Sequence, residues 1–434
     1  MNHQEVRHTR LARKFRSTLV RLLVGPGNWP LLLCPPEPSN PALRATSTHI
    51  YVHLPFCNQI CPHCPYNKSL YKPELHAAFA PALHREIAAY LSRPDLPRIR
   101  SLYFGGGTPS RTPDLVESVL DEFRPLLAED ARIGIEVHPG DASTDLYRRL
   151  RRSGINRVSL GIESFSPVAR RLLGRNYTAA QAERAITLAR AAGFDCVDVN
   201  LIFGVPGQTV SDAVADAETC VKLGVDQIST YPLLSFVHTP LGKRIASGRA
   251  RPYGERDRIR VQKEVSRVCR EGGLERTSMW SFARPGMPSY TTVTHEDYVG
   301  FGAGAATKVD DVFLLNTFSL QAYSEAAEHK PALVMQAGDA LRRFHWLYWQ
   351  IYRIRIEPHR YHELYGRDLA RDFGMLLGLL RIFGFARKDG NVWQITESGT
   401  IWLHRLRWFY SLHHVDTIWT QCQRDAWPTE VVLA

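Results

Sequence analysis

The sequence predicts an α/β fold in which mainly parallel strands curl into a partial barrel, followed by a smaller, mostly helical domain. Three observations carry this. Short β-rich runs alternate with helical stretches as far as residue 231, chemically useful residues recur where those runs end, and the composition changes near residue 335.

Six runs read as strands: residues 47–54, 98–104, 132–137, 156–160, 195–203 and 226–231. Between them lie stretches such as PELHAAFAPALHREIAAYLS and TAAQAERAITLARAAG, with apolar residues at helical spacing and an Ala-rich composition. Strand–helix alternation implies parallel pairing through right-handed crossovers. In such sheets functional groups sit at the carboxyl ends of the strands. A cysteine cluster follows the first run, GGGTP the second, Glu136 closes the third and Glu163 follows the fourth, so four candidate groups meet on one rim.

The chain divides into a basic extension at 1–45, the barrel at 46–250, an extension of it at 251–334 and a last domain at 335–434. In that last part aromatic helices (FHWLYWQIYRIRI, MLLGLLRIFGF) precede a hairpin-like RKDGNVWQITESG, a winged-helix-like pattern read here as a cover for a substrate site. At 434 residues, 44% hydrophobic and 22% charged, the composition is that of a folded globular protein.

The net charge of +11 suits an anionic partner, but the 54 basic residues are spread along the chain. Their densest run, residues 7–21, reads as a basic amphipathic helix, and a nucleic-acid partner is not expected. Arg21, Pro26 and Pro30 interrupt what would otherwise be a signal-peptide core, and no run of eighteen apolar residues occurs, so a cytoplasmic chain without a membrane span is expected.

Of eight cysteines, three crowd into the C-x3-C-x2-C of YVHLPFCNQICPHCPYNK: Cys57, Cys61 and Cys64. This is no disulfide framework; the trio reads as thiolate metal ligands in a reducing compartment. Three thiolates can hold three irons of a 4Fe-4S cube and leave the fourth open to a small molecule. Zinc, with His53 or His63 as fourth ligand, is the competitor, and it leaves the other motifs unexplained.

At these residues the chain resembles the radical S-adenosylmethionine superfamily and, within it, the oxygen-independent coproporphyrinogen oxidase-like family. The resemblance implies a partial (βα)6 TIM-like barrel, a 4Fe-4S cluster on the three cysteines, and S-adenosylmethionine chelated to the unique iron and cleaved to a carbon radical. It also implies an external low-potential electron donor of flavodoxin or ferredoxin type and a small-molecule substrate. Tyr51 resembles a residue that contacts the cofactor, and Gly105, Gly106, Gly107 and Thr108 resemble the family's methionine-binding loop. Glu136 lies where a family glutamate binds cofactor, and Arg175 where relatives carry an arginine whose planar fork suits a carboxylate. Glu163 stands where glutamine is common and Asn200 where aspartate is frequent, two departures at expected cofactor contacts.

A further departure concerns the reaction. The oxidases carry a fourth cysteine two residues after the third, and here that position is Tyr66. The segment between FARPG and GFGAGA also differs from relatives. The expectation is therefore carbon–carbon bond chemistry, C-methylation or a related transfer from a second S-adenosylmethionine, on a small molecule. The alternatives are oxidative decarboxylation of a porphyrinogen and haem trafficking. Radical abstraction needs no general base, so none is assigned, although Tyr231, His238 and Arg284 could meet substrate near the barrel mouth.

Overall fold

The structure, a computed structural model, describes residues 29–287 and 297–433. The basic run at 7–21 lies outside the described residues. All six expected strands form: β1 (His49–Leu54), β2 (Ile99–Gly106), β3 (Leu127–Val137), β4 (Arg157–Glu163), β5 (Cys196–Phe203) and β6 (Gln227–Pro232). They pair in parallel in that order, with helices in every connection.

Two additions lengthen the sheet to nine strands among the described residues. Ser281–Ala283 runs antiparallel beside β6 and carries Glu275–Arg276 at its outer side, while Val299–Phe301 runs parallel beside β1. β1 and β6 do not pair, so the barrel is partial.

Strand alternation decides what faces where. Ile50, Val52, Leu102, Phe104, Ile133, Ile135, Val158, Leu160, Val197 and Val199 face the helical layer and meet Phe79, Leu83, Val116, Leu120 and Ile186 in the largest core. Each such side chain contributes about 1.5–3 kcal/mol when fully buried. A one-residue slip would turn that whole set inward, so the register is pinned.

The other parity is polar and faces the lumen. His49 Nδ1 meets Ser101 Oγ at 2.9 Å, Tyr51 stacks on Tyr103, and Asp198 accepts from Ser159 (2.6 Å) and Ser229 (2.9 Å). Helix starts are specified locally: Thr178 with Gln181 and Thr209 with Asp212 form reciprocal capping boxes.

Beyond the barrel, helix Asp339–Tyr352, strand Arg355–Ile356, helices Pro358–Tyr365 and Leu369–Ile382, and the hairpin Ala386–Asp389/Val392–Ile395 follow in winged-helix order around a second core that Met279 and Leu403 also join. The 28-residue helix Glu397–Arg424 then leads back, and Val431–Leu433 pairs with Leu31–Leu33. Among the described residues no helix is long and apolar enough to cross a membrane.

Candidate functional site

β1 ends at Leu54 and turns at once into Phe56–Cys57, which pairs with Ser69–Leu70 and closes residues 58–68 into a loop carrying Cys61 and Cys64. Phe56 anchors this loop from behind, fully buried against Tyr71, His76 and Phe79. Two helices that follow β4 and β6, Pro167–Leu173 and Pro240–Ala246, also hold it. His63 Nδ1 donates to Leu173 O at 3.2 Å, and Leu241 N donates to Pro62 O at 2.9 Å.

Burial pushes the Cys57 thiol up and the Cys64 thiol up to about 12, so a thiolate at either position calls for a metal's positive charge beside it. His53 is not a spare fourth ligand: Nε2 donates to Asn67 O at 2.9 Å, and Nδ1 lies 3.0 Å from Tyr51 Oη. Burial pushes its imidazole down to about 4, so it is neutral, with Nδ1 accepting from the tyrosine.

The glycine turn at the end of β2 fits against this loop with no space left over. A Cβ on Gly107 would lie 2.6 Å from Pro55 C and 2.8 Å from Phe56 N, and Gly106 adopts φ 114° with His53 behind it. The closeness is used: Gly107 N and Thr108 N donate to Leu54 O and Phe56 O, each at 2.8 Å, and Thr108 Oγ1 donates to Cys57 Sγ at 3.6 Å.

Facing the cysteines across the rim are the carboxylates. Glu136 accepts from Tyr103 Oη at 3.0 Å; burial, opposed by that bond and assisted by the charge of Glu163, raises its carboxyl to about 7. Glu163 is the last residue of β4, at φ 64°, and forms a buried ion pair with Arg175. Burial works against both charges; beside the carboxylate, the guanidinium is held above its ordinary value. Arg175 in turn sits against the cysteine loop, because Gly174 (φ 71°) brings its backbone within reach of Pro62.

Two buried donors here, Arg175 Nε and His138 Nε2, find no acceptor among the described residues. Orphaned donors beside a thiol-bearing loop fit a ligand with a carboxylate. The donor set therefore accommodates both a cluster and an amino-acid-like cofactor.

The structure thus brings Tyr51, Cys57, Cys61, Cys64, the turn from Gly105 to Thr108, Glu136, Glu163 and Arg175 to one rim. Asn200, on β5, lies deeper, donating to Ser159 Oγ at 3.1 Å. Tyr231 faces the lumen near Trp280. His238 links the cysteine loop to the long C-terminal helix, with Nε2 on Pro65 O at 3.3 Å and Nδ1 on Asp416 at 2.7 Å.

Arg284 is a correction. It pairs with Asp226 and donates to Gly224 O, residues just before β6, and so stands at the opposite end of the barrel from the rim. Sequence reasoning also missed His138, Asp198 and Asn67. His138 lies two residues after Glu136 in the stretch IEVHPGD, which was the available signal. Asn67 ties the cysteine loop to the 303–318 segment through Ala303 O and Phe318 O, each at 3.0 Å.

Residues 51–220 match the model of the Radical SAM superfamily. A Mycobacterium tuberculosis protein named heme chaperone HemW is 32% identical over 276 residues, covering 56% of this chain and 70% of the relative. The protein of that name from Bacillus subtilis is 24% identical, over 81% of this chain and 96% of the relative. The solved coproporphyrinogen III oxidase (HemN) of Escherichia coli superposes with a TM-score of 0.69 at 23% identity, over 87% of this chain and 92% of that one, and so shares the fold. These names support the alternatives of the sequence reading over the expected carbon-unit transfer. The chain belongs to the radical S-adenosylmethionine superfamily, in the family of HemN- and HemW-type proteins, and that membership implies a 4Fe-4S cluster and S-adenosylmethionine as its cofactors.

Proposed function

We propose that this chain is a haem-handling protein of the HemW type, with the cluster held by Cys57, Cys61 and Cys64 and S-adenosylmethionine bound across the rim. The observation that carries the reading is the reach of the likeness. It extends over 96% of a relative named heme chaperone and 81% of this chain, well beyond the cysteine loop and the barrel. Tyr66 supports it: the position where the oxidases carry a fourth cysteine holds a side chain 57% exposed.

Bound at such a cluster, S-adenosylmethionine supplies a carbon–sulfur bond that a low-potential electron can break. The chain's own residues bind, orient and shield it. Thr108 Oγ1 donates to Cys57 sulfur and steadies that ligand. Gly105 to Gly107 present backbone with no side chain in the way. Arg175 and His138 offer buried donors to a carboxylate, Glu136 accepts from donors opposite, and the stacked Tyr51 and Tyr103 wall the lumen against water. An external low-potential donor supplies the electron.

The winged-helix-like part is read as a cover. Its third helix exposes Met375 (84%), Ile382 (79%) and, just beyond its end, Phe383 (64%), beside the exposed Arg371 and Arg381.

The test is anaerobic reconstitution followed by titration with haem. About four irons per chain, one haem bound per chain, and cofactor cleavage on reduction are expected. Conversion of coproporphyrinogen without retention of haem would instead favour the oxidase reading. Failure of both refutes a tetrapyrrole function.

A further inference from the structure

We infer that Glu163 is an internal competitor for Arg175, which S-adenosylmethionine must displace in order to bind. The inference rests on the proposed binding of that cofactor at the rim.

Arg175 is the guanidinium that borders the cysteine loop. Its field reaches Cys57, Cys61 and Cys64, and the turn at Gly174 presses it against Pro62, where even a methyl group would come within 2.6 Å. An amino acid carboxylate approaching the cluster meets this cation. Nε and Nη2 form one edge of the guanidinium, the edge that grips a carboxylate through two parallel N–H bonds. In the structure that edge is half used. Nη2 donates to Glu163 Oε1, while Nε is buried with no acceptor among the described residues.

The local backbone is built to place Glu163 there. Register between β4 and β5 slips between Gly161 and Glu163, and Glu163 takes φ 64°, a left-handed conformation uncommon for a residue with a Cβ. Gly161 borders the pair: a Cβ on it would stand in ordinary contact, 3.4 Å from Glu163 Oε1 and 3.6 Å from Arg175 Nη2. The pair is well shielded, its side chains 11% and 10% exposed. A neutral amide at this position would leave the Nε–Nη2 edge free of a bound anion. The carboxylate occupies half of it, and its charge opposes a second carboxylate arriving beside Glu136.

Glu163→Gln should therefore tighten cofactor binding. The measurement is equilibrium dialysis of S-adenosylmethionine against unreduced, cluster-loaded protein, with decarboxylated S-adenosylmethionine in parallel. Loss of the competitor should lower Kd for S-adenosylmethionine about tenfold, which corresponds to about 1.4 kcal/mol. Kd for the decarboxylated analogue should stay unchanged, because that ligand makes no claim on the arginine edge. Glu163→Asn, which tolerates a left-handed φ and is too short to hold Arg175, should show the same selective gain and serves if the Gln variant does not load iron. Weaker binding of S-adenosylmethionine in either variant, or an equal gain for both ligands, overturns the inference and makes Glu163 a ligand of the sulfonium, amine or ribose. Failure of the wild-type protein to bind either compound removes the proposed cofactor site itself.

Discussion

Gly107→Ala tests whether the glycine turn and the cysteine loop are fitted together as one unit. The new methyl would lie 2.6 Å from Pro55 C, 2.7 Å from Pro55 O and 2.8 Å from Phe56 N, all backbone atoms that no rotamer change can move. Reaching an ordinary contact of about 3.5 Å requires a retreat of nearly 1 Å. That retreat costs about 1–3 kcal/mol as overpacking. It also stretches the 2.8 Å bonds from Gly107 N to Leu54 O and from Thr108 N to Phe56 O, each worth about 1 kcal/mol. The sum is about 3–5 kcal/mol, and Thr108 Oγ1 is drawn off Cys57 Sγ. Urea unfolding followed by circular dichroism, together with iron per chain, reads both effects. Gly374→Ala, inside helix Leu369–Ile382 with nothing within 4 Å of the new Cβ, is the matched control and should stabilise by about 0.5–1 kcal/mol. A Gly107→Ala protein within 0.5 kcal/mol of wild type (about the noise of a surface change) and with full iron would show that the turn and loop move independently.

Replacing Cys57, Cys61 or Cys64 by alanine should abolish both iron retention and cofactor cleavage, whereas Cys220→Ala, at a buried thiol in the helical layer, should cost stability and leave iron per chain unchanged. Glu136→Gln should alter the pH dependence of unfolding with a definite sign. Burial raises the Glu136 carboxyl to about 7, so its stabilising contribution is complete below the ordinary carboxylate range and is lost as pH rises toward and through 7. Wild type should therefore lose about 2–3 kcal/mol relative to the variant between pH 4.5 and pH 8, and a pH-independent difference would contradict that assignment. Glu86→Ala removes the acceptor shared by Gly302 N, Asn316 Nδ2, Tyr323 Oη and His329 Nε2; a loss of about 3–5 kcal/mol is expected. Thermal unfolding measures it, and a loss below 1 kcal/mol would mean that water replaces the carboxylate.

The six barrel strands could be read from the sequence because each buries one apolar face under a helix, and that alternation survives in a single chain. The cysteine loop was equally legible, since ligand spacing within eight residues leaves few readings. What escaped is what depends on closure. Ser101, Ser159, Asp198 and Ser229 look in sequence like the solvated faces of half-buried strands, yet they line a lumen and are at most 6% exposed. Only curvature of the sheet turns that polar parity inward. The flanking strands Ser281–Ala283 and Val299–Phe301 are three residues each, too short to show a period. Arg284 was misplaced for a related reason: the chain distance from β6 says nothing about which end of the barrel the antiparallel return will reach.

Closure also explains why the cysteine loop depends on residues so far away in the chain. β1 is the strand at which the circle stops, and its outer neighbour Val299–Phe301 supplies a parallel pairing in place of β6. Gly302 follows with φ 99° and a Cβ position only 2.4 Å from His53 O, so the 299–304 turn is packed directly onto the strand that delivers the cysteines. Asn67 then bonds both ends of that turn's neighbourhood, and His53 bonds Asn67. The open barrel edge is thus not a free edge: the same contacts that satisfy its backbone fix the entry and exit of the cysteine loop. A perturbation near Gly302 should therefore be felt first as loss of iron and only second as loss of fold, the order opposite to that expected for a change in the helical layer such as Cys220→Ala.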